Sequence, residues 1–211
     1  MRPVAIVAYI STMTTRRDVR AQTIESLLST DWTTPPVAVI DQGRFAVGGS
    51  NSTDNAREVL ERASAADGWD LLLFLEDDVD FNQHLLHNLE NWPPIVDLEP
   101  GDHFCASLYD PDIGSLDPTQ DGETYRIVDP LLTYGSQAIL LSRPTLDWIL
   151  DNFRAHIGLS DIRIFHLAAR KTPIFYHRPS LVQHRAVPSM WGGVAHQAKN
   201  YDPTFRAVEI P

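Results

Sequence analysis

One cysteine, Cys105, stands alone among 211 residues, so no disulfide can form within the chain. No set of cysteines and histidines has the paired spacing of a structural zinc site, and any metal must use oxygen ligands or isolated histidines. Lysine is almost as scarce, the first being Lys171, so no glycine-rich phosphate loop with its lysine lies near the N-terminus. No apolar run approaches the length of a membrane span, and no membrane insertion is expected. The first such run, Val4 to Ile10, has no basic region before it and is followed by polar Ser11 to Arg17 rather than a small-residue cleavage site; a soluble cytoplasmic protein is expected. Internal repeats and low-complexity tracts are missing as well.

What is present suffices for one core: 43% of the residues are hydrophobic, and the interruptions between apolar segments are too short to separate two domains. A single domain over 1–211 is therefore expected, with a first half at 1–80 and a second at 81–211. The net charge of -11 argues against a generic nucleic-acid binder. That average hides an asymmetry, because from Arg154 onward eight Lys/Arg face three acids, giving +5, while the remainder carries -16. The basic section is suited to a diphosphate or a polyanion, or else is a solvated surface.

The spacing of apolar residues predicts a strand at Val4 to Ile10, a helix at Asp18 to Leu28 and a second short strand at Val37 to Ile40 ending in Asp41-Gln42-Gly43. A loop at Gly48 to Ser52 then feeds a helix over Thr53 to Ala66, with Ser52 or Thr53 as its cap. Leu71 to Leu75 is continuously apolar, as in a central parallel strand covered on both faces. Further expectations are a helix at Phe81 to Leu89, strands at His103 to Leu108 and near Leu131 to Leu141, and a helix at Pro144 to Phe153. Alternating strands and helices indicate a doubly wound α/β half, whose ligands sit at the carboxyl ends of the strands.

Four carboxylates, Glu76, Asp77, Asp78 and Asp80, follow the buried third strand within five positions. Their mutual repulsion is costly unless a cation or solvent relieves it. Hard oxygen ligands suit Mg2+ or Mn2+, both of which retain positions for phosphate oxygens. The alternative is a set of acids favoured by the macrodipole of a following helix.

Asp70-Leu-Leu-Leu-Phe-Leu-Glu-Asp-Asp-Val-Asp80 resembles the strand and acidic motif of GT-A-fold, nucleotide-sugar-dependent glycosyltransferases, in the Glu-Asp-Asp form of Asp-x-Asp. Asn51 to Arg57, Tyr134 to Arg143 and Pro179 to His184 are similar to further segments of that family, in matching order. The resemblance implies a GT-A-like, Rossmann-type α/β domain with a mostly parallel central sheet flanked by helices. It also implies transfer of a sugar from a nucleoside-diphosphate sugar to an acceptor hydroxyl, with Asp78 and His184 as metal ligands. Glu76 and Asp77 would contact the donor ribose or shape the metal's surroundings, while Thr12, Arg16, Asp41 and Arg57 would hold the nucleotide. Asp80, Gln137, Arg185 and Trp191 are further candidates. Asp161 corresponds to the acid that in inverting members takes the acceptor's proton, with helix capping as its alternative role. The acceptor would be a glycan or small metabolite, or a hydroxylated base in phage DNA, in a bacterial or phage-infected host cytoplasm.

Two other functions compete. A metal-dependent nucleotidyltransferase would show the phosphate loop that is missing here. A non-catalytic nucleotide- or calcium-binding protein would show the twelve-residue calcium loop, with its central glycine and terminal glutamate, and the acidic cluster lacks that pattern.

Overall fold

The computed structural model describes residues 4–42, 50–112, 114–187 and 196–210, without the side chains of 50–52. The chain runs β1 (Ile6–Met13), α1 (Arg17–Leu28), β2 (Val37–Asp41), α2 (Ser50–Ser64), β3 (Leu71–Leu75), β4 (Val79–Phe81), α3 (Leu85–Glu90), α4 (Pro93–Val96) and β5 (Cys105–Ser107). It continues with β6 (Tyr125–Val128), β7 (Ala138–Ser142), α5 (Arg143–Asn152), α6 (Ser160–Ala168), β8 (Ile174–His177) and β9 (Val182–His184).

Seven strands form one sheet in the order β2-β1-β3-β7-β5-β8-β6, while β4 and β9 pair separately. In the large sheet β2, β1, β3, β5 and β8 point one way, and β7 and β6 run against them. The period of two in a strand divides each central strand between two cores. Leu72 and Phe74 of β3 and Ile139 and Leu141 of β7 join Val59, Leu60, Ile149 and Phe165 from α2, α5 and α6 on one face. Leu71, Leu73 and Leu75, with Ala138 and Leu140, meet Leu27, Leu85 and Ile95 from α1, α3 and α4 on the other. Every residue of β3 is buried, as its unbroken apolar run requires. The helix α2 earns its place with Ala56, Val59, Leu60 and Ala63 on one stripe, all buried. Cys105 lies inside the first core, where burial drives its thiol pKa far upward and leaves it a small apolar side chain.

Several boundaries differ from the sequence reading. The helix expected at Phe81 to Leu89 starts only at Leu85, because Val79–Phe81 pairs with β9 and Asn82 turns the chain by accepting from the His84 amide at 2.7 Å. The strand expected near Leu131 to Leu141 is confined to Ala138–Ser142. Asp129 accepts from the Leu131 amide at 2.9 Å and, with Pro130, sets a 3-10 turn, and Gly135 adopts a φ of 88°. Strand β5 is shorter than His103 to Leu108, and α2 begins at Ser50, which puts Ser52 and Thr53 inside the helix rather than at its cap. Leu28, counted on the apolar face of α1, is exposed.

Residues 196–210 contain no helix or strand and are fastened by side-chain amides. Gln183 donates to the Ala198 carbonyl at 3.1 Å and accepts from its amide at 2.9 Å. Asn82 donates to the carbonyls of Asp202 and Phe205 at 2.8 and 2.9 Å, and Asn88 accepts from the Ala207 amide at 2.7 Å. These bonds satisfy a backbone that has no sheet or helix of its own.

Candidate active site

The acidic residues leave β3 at its carboxyl end, beside the end of β1. There β4 and β9 pair antiparallel with Val79 opposite His184, and the Arg185 amide donates to the Asp78 carbonyl at 2.8 Å. This pairing brings one ligand atom each from Glu76, Asp78 and His184 within 4.8 Å of one another. Nε2 of His184 stands 3.4 Å from Oδ1 of Asp78, and that buried oxygen has no hydrogen-bond partner. Nδ1 of His184 lies 3.1 Å from the His196 carbonyl. A carbonyl can only accept, so Nδ1 carries the proton when the ring is neutral and the Nε2 lone pair faces the carboxylates.

Asp77 is turned to other partners. Its Oδ2 accepts from Thr12 Oγ1 at 2.5 Å and its Oδ1 from Arg16 Nε at 2.7 Å, while Arg16 Nη2 reaches Oδ2 of Asp78 at 2.6 Å. The guanidinium thus bridges neighbouring aspartates and leaves Oδ1 of Asp78 to the triad. Below them Thr23 donates to the Asp77 carbonyl at 2.6 Å, and Arg185 binds that carbonyl, the Val19 carbonyl and the Gln22 side chain. Arg185 therefore ties α1 to the acidic turn. Asp80 is half exposed and faces Arg185 Nε at 3.7 Å, away from the triad.

The electrostatics follow from burial set against these charges. Burial pushes Glu76 up to about 7, with Asp78 adding to the rise and the Ser136 hydroxyl opposing it. Burial also raises Asp77, against Thr12 and Arg16. Asp78 is pulled upward by burial, yet His184 and Arg16 together outweigh that and hold it below the usual carboxylate range. Contact with Asp78 raises His184.

On the far side of Glu76, Ser136 donates to Oε1 and Gln137 Nε2 approaches Oε2 at 3.4 Å. The adjoining Gly135 amide donates to Asp161 Oδ2 at 2.7 Å, and the Ile162 amide to Oδ1 at 2.9 Å. Asp161 lies in the first turn of α6, where it also suits the helix dipole. Asp41 is buried at the end of β2, in register with Met13, and its carbonyl accepts from Thr14 at 3.0 Å. Arg57 pairs with Glu61 one turn along α2 rather than with the carboxylates. Trp191 lies outside the described residues.

Two contributors were not visible in the sequence. Ser136 holds Glu76, and Asn55 donates to Ser11 Oγ at 2.8 Å and the Thr12 carbonyl at 3.3 Å, fastening α2 to the end of β1. Buried polar atoms without partners also include Asn55 Oδ1, Arg57 Nε and Gln137 Oε1. The donor set of two carboxylates and one imidazole, with an unsatisfied buried oxygen between them, fits a divalent cation such as Mn2+ or Mg2+. Two clefts of about 580 and 590 Å³ open at the amino ends of the strands, near Val4, Asp70 and Pro173, away from this cluster. Chemistry rather than cavity volume therefore locates the site.

No family model matches the chain, and no curated protein matches it. Among solved structures it is similar to A197 from STIV, at 15% identity and TM-score 0.55 over 98% of both chains. It is also similar to a glycosyltransferase involved in the glycosylation of the major capsid of PBCV-1, at 10% identity and TM-score 0.51 over 87% of this chain and 95% of that one. The galactosyltransferase LgtC, in complex with donor and acceptor sugar analogues, matches at 9% identity and TM-score 0.48 over 87% of each. The chain has a GT-A-like α/β fold, and no helix of its described residues is long and apolar enough to cross a membrane.

Proposed function

We propose that the protein is a metal-dependent glycosyltransferase that moves a sugar from a nucleoside-diphosphate sugar to an acceptor hydroxyl. The observation that carries this reading is the cluster of Glu76, Asp78 and His184 at the carboxyl edge of the sheet, in which the buried Oδ1 of Asp78 makes no hydrogen bond and stands 3.4 Å from Nε2 of His184. The reading is supported by a fold similar to that of a glycosyltransferase involved in the glycosylation of the major capsid of PBCV-1.

Glu76, Asp78 and His184 would hold Mn2+ or Mg2+, whose charge, when bound, offsets that gathering on a leaving diphosphate. Arg16, already between the two aspartates, adds a cation on the same side for the diphosphate, and Asp77 with Thr12 keeps it there. Thr12, Asp41 and Arg57 would hold the nucleoside, with Asn55 bracing the end of β1. Gln137 and Ser136 orient Glu76, Arg185 fixes the acidic turn, and Asp80 has no assigned part in this scheme. Asp161 takes the acceptor's proton while the acceptor oxygen forms its bond to the anomeric carbon. The bond from that carbon to the diphosphate breaks with its electron pair leaving on the phosphate oxygen, and the configuration inverts. A positioned base contributes roughly 10²- to 10⁴-fold. A glycan, a small metabolite or a hydroxylated DNA base would each supply the hydroxyl.

The test is a panel of nucleotide sugars incubated with protein and Mn2+, scored for donor hydrolysis, together with the melting temperature in UDP and other nucleoside diphosphates. Hydrolysis of one donor, and stabilisation by its nucleotide only when Mn2+ is present, is expected. Release of pyrophosphate from nucleoside triphosphates instead would make the protein a nucleotidyltransferase.

A further inference from the structure

Five of the large apolar side chains exposed among the described residues lie on the two stretches that meet at Asp161. Leu131 and Leu132 belong to the 3-10 turn at Pro130–Leu132, Tyr134 follows it, and Ile157 and Leu159 lie on the approach to α6. The turn packs on α6, and the bond from the Gly135 amide to Asp161 joins the two stretches. Leu131 is 79% and Ile157 88% exposed. Single exposed apolar residues are ordinary, whereas a group of them at the rim of a polar site marks a binding surface.

We propose that this surface seats an apolar portion of the acceptor, so that the hydroxyl receiving the sugar is carried on an alkyl or aromatic body. The proposal rests on the glycosyl-transfer reading and narrows its acceptor. Local charge favours this occupant over a polyanion. The guanidinium of Arg163 on α6 donates to the carbonyls of Gly158 and Phe153 at 2.7 and 2.9 Å and lies over the Phe153 ring. On the same two stretches Arg154 and His156 are accompanied by Asp129 and Asp161, so the local charge is mixed although the section as a whole is basic. Size disfavours a second copy of the chain, since a stable interface takes roughly 20–30 residues from each side. An alkyl chain or ring held on these stretches would carry an attached hydroxyl near Asp161, which the Gly135 amide joins to them.

The experiment leaves out donor and metal. The protein is titrated with n-octyl β-D-glucoside below its micelle concentration and, separately, with methyl β-D-glucoside, while leucine and isoleucine methyl NMR signals are followed. The octyl compound should bind about tenfold more tightly or better, the gain expected from burying about two methylene groups. Its shifts should be confined to Leu131, Leu132, Ile157 and Leu159. The double variant Leu131→Ser, Leu159→Ser should bring octyl binding down to the methyl level with an unchanged melting temperature, since both side chains are exposed. Equal affinities, shifts elsewhere or an unaffected double variant would overturn the proposal. So would concentration-dependent broadening of the same methyls without ligand, which would assign the face to a second copy. The nucleotide-sugar panel fails or succeeds independently of this titration.

Discussion

His184 meets Asp78 across the pairing of β4 with β9, Nε2 to Oδ1 at 3.4 Å, although the two residues come from distant parts of the chain. Each side chain is oriented by a residue remote in sequence. The carboxylate is aimed by Arg16 on its other oxygen, and the imidazole by the His196 carbonyl on its other nitrogen. With the ring neutral, the Nε2 lone pair and Oδ1 of Asp78 face one another, an arrangement that suits a shared cation.

Removing either side of that pair should remove cation binding before it disturbs the fold. In calorimetric titration with Mn2+, Asp78→Ala should show no measurable binding and His184→Ala an affinity lowered at least tenfold. Circular dichroism should be unchanged in both. Wild-type affinity in Asp78→Ala would take that residue out of the metal site.

Arg16→Gln should destabilise the protein by about 3 kcal/mol, because Asp77 stays buried with its charge unmatched. Adding Asp77→Asn should recover much of this, a coupling readable by urea denaturation of the single and double variants. Simple additivity would mean that the bridge across the aspartates contributes little.

His177 predicts an acid limit on stability. Burial among Trp92 and Phe205 holds its pKa down at about 4 against an ordinary 6.5, although the Pro179 carbonyl, 2.6 Å from Nδ1, favours the charged form. Between those values the unfolded chain takes up a proton that the folded chain refuses. Stability from this group is therefore complete above pH 6.5 and falls as pH drops toward 4. From pH 7 to pH 4.5 the loss should be about 2 to 3 kcal/mol by urea denaturation. His177→Asn should show a correspondingly flatter pH dependence, whatever its stability at pH 7.

Asp161→Asn should suppress sugar transfer by roughly 10²-fold or more while donor affinity stays within about twofold, measured by nucleotide titration beside product formation. Both backbone bonds to Asp161 run to its oxygens, and the amide keeps only one of these. A shift in the melting temperature without loss of transfer would make the residue an anchor for Gly135 rather than a base.

How far the sequence revealed all this depended on range. Leu71–Leu75 and the acids after it were legible because a fully buried strand needs no partner to be recognised: its composition is its signature. The first helices and strands followed for the same local reason. The strand expected across Leu131 to Leu141 failed because Asp129, Pro130 and Gly135 outweigh apolar pattern with turn chemistry. Asp78, His184 and Arg16 were each named from the chain, but the bridge of Arg16 across two aspartates depends on a 3-10 turn after β1 that no periodicity encodes. Ser136, Asn55 and the His196 carbonyl escaped for a plainer reason, since a hydroxyl, an amide or a backbone oxygen carries no mark of its partner.

The amide-fastened stretch at 196–210 has a consequence for His184. A chain that reaches only as far as Val187 already holds every strand described above, yet lacks the His196 carbonyl that favours hydrogen on Nδ1 of His184. The imidazole gains its fixed tautomer when the His196 carbonyl arrives, tethered by Ala198 clasping Gln183.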